Sequence, residues 1–271
     1  MESTEFPLLE SDYPLSEEQI QDYHQDGFIL IQNLATAAEI QAYRPLLQDV
    51  VERKVREKDA QGRKEGYGRF FHQVTNVWRL DARLQGLILA RRFAHVAAQL
   101  MGVNGVRIYH DQALFKPAGG SMTPWHQDQF YWPLDTAQTI TLWMPLVDVP
   151  REMGTMSFAS GSHNDGSLVD LAISDESQRR LDRLVREQGY PVVSFALKAG
   201  DATFHSGWTV HNAHGNSSDQ MREVITVIYY PAGTRLMVPD SEYRKVDLEV
   251  FHPGGQPGEP AEGPLHPLLY P

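Results

Sequence analysis

The sequence contains no cysteine, a deficit of basic residues and no long hydrophobic run. Without cysteine there are neither disulfide bonds nor thiolate ligands, so a bound metal would be held by nitrogen and oxygen atoms. Lys and Arg number 24 against 35 Asp and Glu, and the net charge of −11 repels phosphate backbones and anionic membranes. No apolar run approaches the roughly 20 residues of a bilayer span, and the N-terminus MESTEFPLLE does not resemble a signal peptide. We therefore expect a cytoplasmic protein without nucleic-acid or membrane partners; the pattern does not indicate an oligomeric state.

The rest of the composition is that of an ordinary globular protein. With 271 residues, 41% of them hydrophobic and 22% charged, the chain can bury a substantial core. We expect a single domain over residues 1–271, in three parts. These parts are a mostly helical N-terminal part (1–102), a β core (103–235) and an extended C-terminal tail (236–271).

Helical patterns dominate the first part. Ser16 followed by Gln19 has the spacing of a capping box, and Gly27 predicts the end of that helix. Apolar residues recur at helical spacing in two longer stretches, and a charged segment farther along has one narrow apolar face. These patterns predict helices at 36–59, 81–102 and 174–189.

After Gly102 the pattern changes to that of strands. Four stretches rich in β-branched and aromatic residues are separated by Gly, Pro, Asn and Asp, at 106–117, 139–149, 191–205 and 222–231. Because helices do not alternate regularly with these strands, an antiparallel barrel or sandwich is favoured over a parallel sheet. We predict a mainly β fold of the jelly-roll, cupin-like type, with helices packed outside it.

The stretch TPWHQDQFYW places two candidate metal ligands, His126 and Asp128, two positions apart. Side chains alternate along a strand, so both could project to the same side and bind one cation. With a second histidine from elsewhere, they would form the set of two imidazoles and one carboxylate that holds iron in non-haem oxygenases. His-x-Asp alone is a weak signal in a chain with 11 histidines, and a solvated loop histidine is the simpler explanation. The segment 200–230 offers three candidates for the third ligand.

Three blocks in order make the pattern specific. WHQDQFYW, LWMPLVDVPREMGTMSFASGSH and GDATFHSGWTVHNAHGNSSDQMREVITVIYYPAG resemble the signature blocks of the phytanoyl-CoA dioxygenase family of Fe(II)- and 2-oxoglutarate-dependent oxygenases. The resemblance covers roughly residues 105–235 and extends more faintly to both ends. It implies a double-stranded β-helix, which is a jelly roll, in agreement with the strand pattern.

The resemblance also implies roles for individual residues. His126 and Asp128 would be the first two iron ligands and His211 the third, while Arg222 would bind the distal carboxylate of 2-oxoglutarate. A guanidinium suits that role because its fork can donate two parallel hydrogen bonds to a carboxylate. Two further positions match residues that line the co-substrate pocket, Trp143 and Gln112.

The sequence leaves more than one role for several residues. Some family members have serine where this chain has Ala213, so a hydrogen bond to the co-substrate would be missing or supplied by another residue, such as Asn212 or Thr155. His205 and His214 compete with His211, although His205 fits the preceding strand and His214 the following turn. The pair His110 and Asp111 is interpreted as structural, or as supporting the site from behind, because adjacent strand residues face opposite sides. Two features could serve either the substrate pocket or ordinary structure: a lid at 66–79, and the aromatics Trp125, Phe130, Tyr131 and Trp132.

The resemblance implies a dioxygenase that uses Fe(II), 2-oxoglutarate and dioxygen and releases succinate and carbon dioxide. Hydroxylation of a small organic metabolite or acyl derivative is the expected reaction. Epimerisation, cyclisation and desaturation are alternatives, because substrate placement decides the product. A halogenase is rejected because Asp128 occupies the position that such enzymes leave open for chloride. A zinc hydrolase or a non-catalytic barrel remains as a less favoured alternative, since a hydrolase gives no role to Arg222.

Overall fold

The computed structural model describes residues 6–60 and 71–271. Within these ranges the helices are α1 (Glu17–Asp26), α2 (Ala37–Ala60), α3 (Val77–Leu80), α4 (Gln85–Ile88), α5 (Arg91–Met101), α6 (Asp175–Gln188) and α7 (Glu242–Phe251). The strands are β1 (Phe28–Ile31), β2 (His72–Thr75), β3 (Val106–Phe115), β4 (Thr123–His126), β5 (Ile140–Pro145), β6 (Met156–Ala159), β7 (Val192–Ser194), β8 (Ala202–Ser206), β9 (His211–Ala213), β10 (Val224–Pro231) and β11 (Leu268–Tyr270). None of the described helices is long and apolar enough to cross a membrane.

The strands form two antiparallel sheets. The larger has seven strands in the order β1-β8-β5-β10-β3-β11, with β2 also paired to β3, and the smaller has the order β4-β9-β6-β7. A cavity between them is lined by residues of both sheets. The predicted jelly-roll core with external helices is therefore confirmed.

The side chains of the large sheet alternate between two faces, one that packs in the helical core and one that lines the cavity. On β5, Ile140, Leu142 and Met144 pack in the core that includes α2 and α5, whereas Thr141 and Trp143 line the cavity. The successive side chains of a strand point to opposite faces, so a strand that is buried along its whole length separates the helical core from the cavity.

Several predicted helix boundaries are confirmed. Ser16 and Gln19 make the capping box of α1, and Gly27 ends that helix with a positive φ of 81°. An alanine at position 27 would place its Cβ 2.4 Å from the His163 ring, so glycine is required there for space as well as conformation. The inserted helix α6 also forms as predicted, with Ser174 as its N-cap.

Three expectations differ from the structure. Residues 81–102 form a 3₁₀ turn, α4 and α5 rather than one helix, because the backbone extends at Ala90 (ψ 123°) before α5 begins. The helical N-terminal part contributes β1 and β2 to the large sheet. The tail at 236–271 is not wholly extended, since it contains α7 and the short strand β11, which pairs with β3.

The inserted helix α6 supports the open edge of the smaller sheet. In that sheet β4 pairs only with β9, so its other edge has unpaired backbone groups. Gln178 Oε1 accepts a hydrogen bond from Trp125 N at 2.8 Å, and Ser177 Oγ donates to Trp125 O at 3.0 Å. Helix α6 thus satisfies both backbone groups of the residue that precedes His126.

We predict that Gln178→Ala lowers the free energy of unfolding by about 1–2 kcal/mol, because it leaves the buried N–H group of Trp125 without an acceptor. Urea denaturation followed by circular dichroism measures the change. Gln188→Ala, at an exposed position near the end of the same helix, is the matched control and should have almost no effect. Equal losses in the two variants would contradict the role given to Gln178.

Candidate metal centre

The cross-strand pairing of β4 and β9 brings two of the predicted ligands together. His126 lies directly opposite His211 in this pair, and their ring centroids are 4.1 Å apart. Asp128 Oδ1 lies 3.5 Å from His126 Nε2 and 3.6 Å from His211 Nε2. One ligand atom from each of the three residues lies within 4.8 Å of the other two, and no other such group of three occurs among the described residues.

Asp128 reaches this position by a route that strand alternation does not describe. Strand β4 ends at His126, and Asp128 begins a short 3₁₀ turn, Asp128–Phe130. The intervening Gln127 holds the turn, since its Nε2 donates to Gly166 O at 2.7 Å and to Trp208 O at 2.6 Å. The expectation of two ligands on one continuous strand was therefore wrong, although the two side chains do converge.

Backbone carbonyls set the tautomer of both histidines. His126 Nδ1 lies 2.7 Å from Pro124 O, and His211 Nδ1 lies 2.9 Å from Thr209 O. A carbonyl oxygen can only accept, so both Nδ1 atoms carry the proton. In the neutral imidazoles the Nε2 lone pairs then face Asp128 and are free to bind a cation.

A third histidine orients the carboxylate from behind. His205 Nε2 lies 3.2 Å from Asp128 Oδ2, and Thr141 Oγ1 donates to the same oxygen at 3.0 Å. These contacts occupy Oδ2, while Oδ1 points between His126 and His211. Sequence reasoning treated His205 only as a rival ligand, and the signal that could have identified its role was its position on a strand that faces the site.

The surroundings of Asp128 favour an ionised carboxylate, and those of His211 favour a neutral imidazole. Burial opposes ionisation of Asp128, but His211, His126 and His205 outweigh it and hold the pKa of the carboxyl well below its usual value. Burial, with a smaller contribution from His126, lowers the pKa of His211 well below that of a free histidine. This donor set, two imidazoles and one carboxylate, fits a divalent transition metal such as iron.

Arg222 lies in the same cavity and has no acidic partner among the described residues. Its guanidinium is buried, donates through Nη1 to Gly154 O at 2.5 Å, and lies 5.5 Å from the centre of the Trp143 ring. Its Nε has no hydrogen-bond partner. Burial lowers the pKa of Arg222 to about 10, so the group stays charged at neutral pH. A buried guanidinium with a free donor favours an anionic ligand, and a carboxylate has the matching geometry.

Lys116, which the sequence left unexplained, lies buried near Arg222. Its Nζ donates to His214 O at 2.9 Å. Burial, with a smaller contribution from the Arg222 charge, lowers the pKa of Lys116 to about 7. Lys116 is therefore only partly protonated at neutral pH, and Arg222 is the main positive charge at this end of the interior.

The remaining predicted residues fall into two groups. The cavity, about 350 Å³ in volume, is lined by Trp143, Gln112, Asn212, Ala213, Tyr131 and Trp132, among others. Gln112 Oε1 accepts from Gln73 Nε2 at 2.7 Å, and Asn212 Oδ1 is buried without a partner. Trp125 packs against α6, and Phe130 packs against Tyr243, so these two rings lie outside the cavity lining. Thr155 also lies outside it and bonds to Ser194.

The other sequence candidates are separated by the fold. His110 lines the cavity, whereas Asp111 accepts a hydrogen bond from Val77 N on the opposite face of β3, as expected for adjacent strand residues. His214 is exposed and contacts Ser157 at 3.0 Å, outside the three-residue group. Of the possible lid at 66–79, residues 66–70 lie outside the described residues, while Phe71, Gln73 and Thr75 line the cavity.

Comparison with known proteins agrees with this geometry. The family model described as Phytanoyl-CoA dioxygenase (PhyH) matches residues 23–224. An ectoine dioxygenase of Bordetella parapertussis is 27% identical over 237 residues, which are 79% of this chain and 75% of that protein.

Two solved structures share the fold across nearly the whole chain. The carbocyclase SnoK from nogalamycin biosynthesis, described as non-heme and alpha ketoglutarate dependent, superposes with a TM-score of 0.77 at 29% identity, covering 94% of this chain and 96% of its own. The epimerase SnoN, solved with Fe3+, alpha ketoglutarate and nogalamycin RO, gives a TM-score of 0.74 at 27% identity and covers 93% and 98%.

We predict that His205→Ala weakens Fe(II) binding by about 10- to 100-fold, because Asp128 loses the donor that fixes its second oxygen. Anaerobic titration of the protein with Fe(II) measures the dissociation constant. His214→Ala removes a histidine that lies three positions after His211, yet it should leave iron binding unchanged. Weaker Fe(II) binding in His214→Ala than in His205→Ala would show that the third ligand has been assigned to the wrong histidine.

Proposed function

Because the chain belongs to the phytanoyl-CoA dioxygenase family, whose members are Fe(II)- and 2-oxoglutarate-dependent oxygenases, we propose that His126, Asp128 and His211 hold its iron and that Arg222 seats its 2-oxoglutarate. The single observation that carries this proposal is the shared cavity. Three preset metal-ligand atoms and a buried guanidinium without a counter-anion line the same space. A metal cation would compensate the negative charge of Asp128, and a carboxylate ligand would compensate the positive charge of Arg222.

Iron with 2-oxoglutarate supplies the oxidation of a substrate carbon by dioxygen, with release of succinate and carbon dioxide. The residues of the chain provide the geometry for this reaction. His205 and Thr141 fix Asp128, so that one carboxylate oxygen stays directed at the metal position. Arg222 binds the distal carboxylate of the co-substrate, and the Trp143 ring packs beside that guanidinium and excludes water. Asn212 Oδ1 and Gln112 lie where they can contact the rest of the co-substrate or the substrate.

The reaction is most simply a hydroxylation of a small organic molecule. A second outcome, ring closure or epimerisation, is favoured by one specific observation, because SnoK and SnoN share the fold at 29% and 27% identity. The same oxidising site can produce either outcome, and the position of the substrate carbon decides between them. We propose that residues 1–271 act as one oxygenase domain, since strands from both ends of the chain complete the large sheet.

The proposal predicts that anaerobic addition of Fe(II) and 2-oxoglutarate produces a weak visible charge-transfer band. Succinate should form when oxygen is admitted, and both signals should disappear in Asp128→Ala. The absence of the band and of succinate in the wild-type protein would favour a zinc hydrolase or a non-catalytic barrel instead.

A second prediction concerns the anchor of the co-substrate. Arg222→Lys keeps the positive charge but loses the fork, so the dissociation constant for 2-oxoglutarate should rise by about 10- to 100-fold while iron affinity is retained. The band titrated with 2-oxoglutarate measures the change. Arg179→Lys, on the exposed surface of α6, is the control and should bind both as the wild type does. Unchanged 2-oxoglutarate affinity in Arg222→Lys would mean that another group binds the distal carboxylate.

A further inference from the structure

A second ionisable group lines the cavity without an opposite charge beside it. Asp247 projects from α7, the helix in the C-terminal segment that had been expected to be extended. Its Oδ2 accepts a hydrogen bond from Tyr109 Oη at 2.7 Å. Within the described ranges, no Lys, Arg or His nitrogen lies within 4 Å of this carboxylate. One oxygen is therefore held in place while the charge itself has no protein partner.

Aromatic side chains line the same cavity as this carboxylate. Phe251, one helical turn after Asp247, also lines the cavity, and so do Tyr131 and Trp132. The Tyr109 ring, whose hydroxyl binds Asp247, lies 5.2 Å from the Phe251 ring and 5.7 Å from the Trp132 ring. A carboxylate within a group of aromatic faces is the combination that binds ammonium cations, through charge and cation–π attraction together.

The position of Asp247 separates it from the co-substrate anchor. The cavity is lined by Arg222, which lies just before β10, and by Thr226 and Ile228 on β10. On β3 it is lined by Gln112, opposite Thr226, and then by His110 farther along. His110 stacks on Phe251 with ring centroids 4.5 Å apart, so α7 covers the end of the cavity away from Arg222. The six backbone steps from Arg222 to Ile228 correspond to roughly 20 Å of extended chain. Arg222 is therefore too far away to neutralise Asp247 directly.

His110, the imidazole that stacks on Phe251, does not supply a positive charge at this end. Burial lowers the pKa of His110 to about 3, so its imidazole is neutral at physiological pH. Burial raises the pKa of Asp247 to about 7, which reports the cost of a carboxylate charge without a counter-ion. A cationic ligand would offset that cost, whereas an anionic ligand would increase it.

We propose that Asp247 is a specificity-determining residue that binds a protonated amine of the substrate, with the rings of Phe251, Trp132 and Tyr131 packed around the cation. The substrate class is accordingly an amine-bearing organic molecule with an otherwise mainly apolar body. This inference rests on the proposed function, since it assigns the substrate end of the same cavity. The amine binds Asp247, and the remainder of the molecule extends toward the site of oxidation.

Three probes of similar size and different charge test the inference. Phenethylamine is cationic at neutral pH, phenethyl alcohol is neutral and phenylacetate is anionic. Isothermal titration calorimetry measures their binding to the full-length protein, anaerobically, with and without Fe(II) and 2-oxoglutarate. We expect the amine to bind on the order of tenfold more tightly than the alcohol, and phenylacetate to bind most weakly at the Asp247 end.

Asp247→Asn isolates the charge because asparagine keeps the shape and still accepts from Tyr109. The amine should lose on the order of tenfold in affinity, while the alcohol should bind as before. Phe251→Leu should also weaken amine binding selectively, because it removes one aromatic face. Glu249→Gln changes an exposed carboxylate on the same helix and serves as the matched control, with no expected effect.

The outcomes distinguish this inference from the proposed function. Loss of the charge-transfer band in the wild-type protein would remove the proposed function, whatever the probes do. A normal band in wild type and Asp247→Asn, with amine and alcohol binding equally or with amine affinity unchanged in the variant, would overturn the inference alone. Failure of the amine to bind at millimolar concentration would overturn it as well.

Discussion

The candidate metal site depends on the position of one ionised carboxylate, that of Asp128, among three imidazoles inside the protein. Asp128 is held on one oxygen by His205 and Thr141, and its other oxygen points between His126 and His211. Burial alone would favour the protonated acid, yet the surrounding histidines keep the carboxyl ionised. Because the backbone carbonyls of Pro124 and Thr209 fix both ligand histidines with Nε2 unprotonated, the cluster is set up for a metal cation rather than for a proton.

Charged side chains elsewhere in the cavity also indicate which ligands should bind there. Arg222 is a buried cation without an acidic neighbour in the described ranges, and Asp247 is a carboxylate without a basic one. A folded protein retains such groups only at a cost, so each marks a ligand of opposite charge. We propose that the metal cluster, the guanidinium and the carboxylate provide positions in one cavity for iron, for a dicarboxylate co-substrate and for an amine. Hydrophobic and aromatic side chains line the cavity around these positions.

The sequence predicted those parts of the fold that depend on local patterns. Alternation and β-branched residues indicated β3, β5 and β10, and the capping pattern indicated α1. The resemblance assigned roles to His211 and Arg222 by register, which periodicity could not do, and the structure places both in the cavity. Local patterns failed where tertiary contacts decide the conformation. The turn at Asp128 is held by Gln127 contacts to Gly166 and Trp208, both distant in the chain. The role of His205 and the position of α7 over the cavity likewise depend on neighbours that are remote in sequence.

The most direct test of the central claim is a crystal structure of the protein grown anaerobically with Fe(II) and 2-oxoglutarate. We expect one iron ion bound by His126 Nε2, Asp128 Oδ1 and His211 Nε2. His205 should be hydrogen-bonded to Asp128 and should not bind the metal. An ion bound through His205 or His214, or three side chains that do not share one ion, would contradict it.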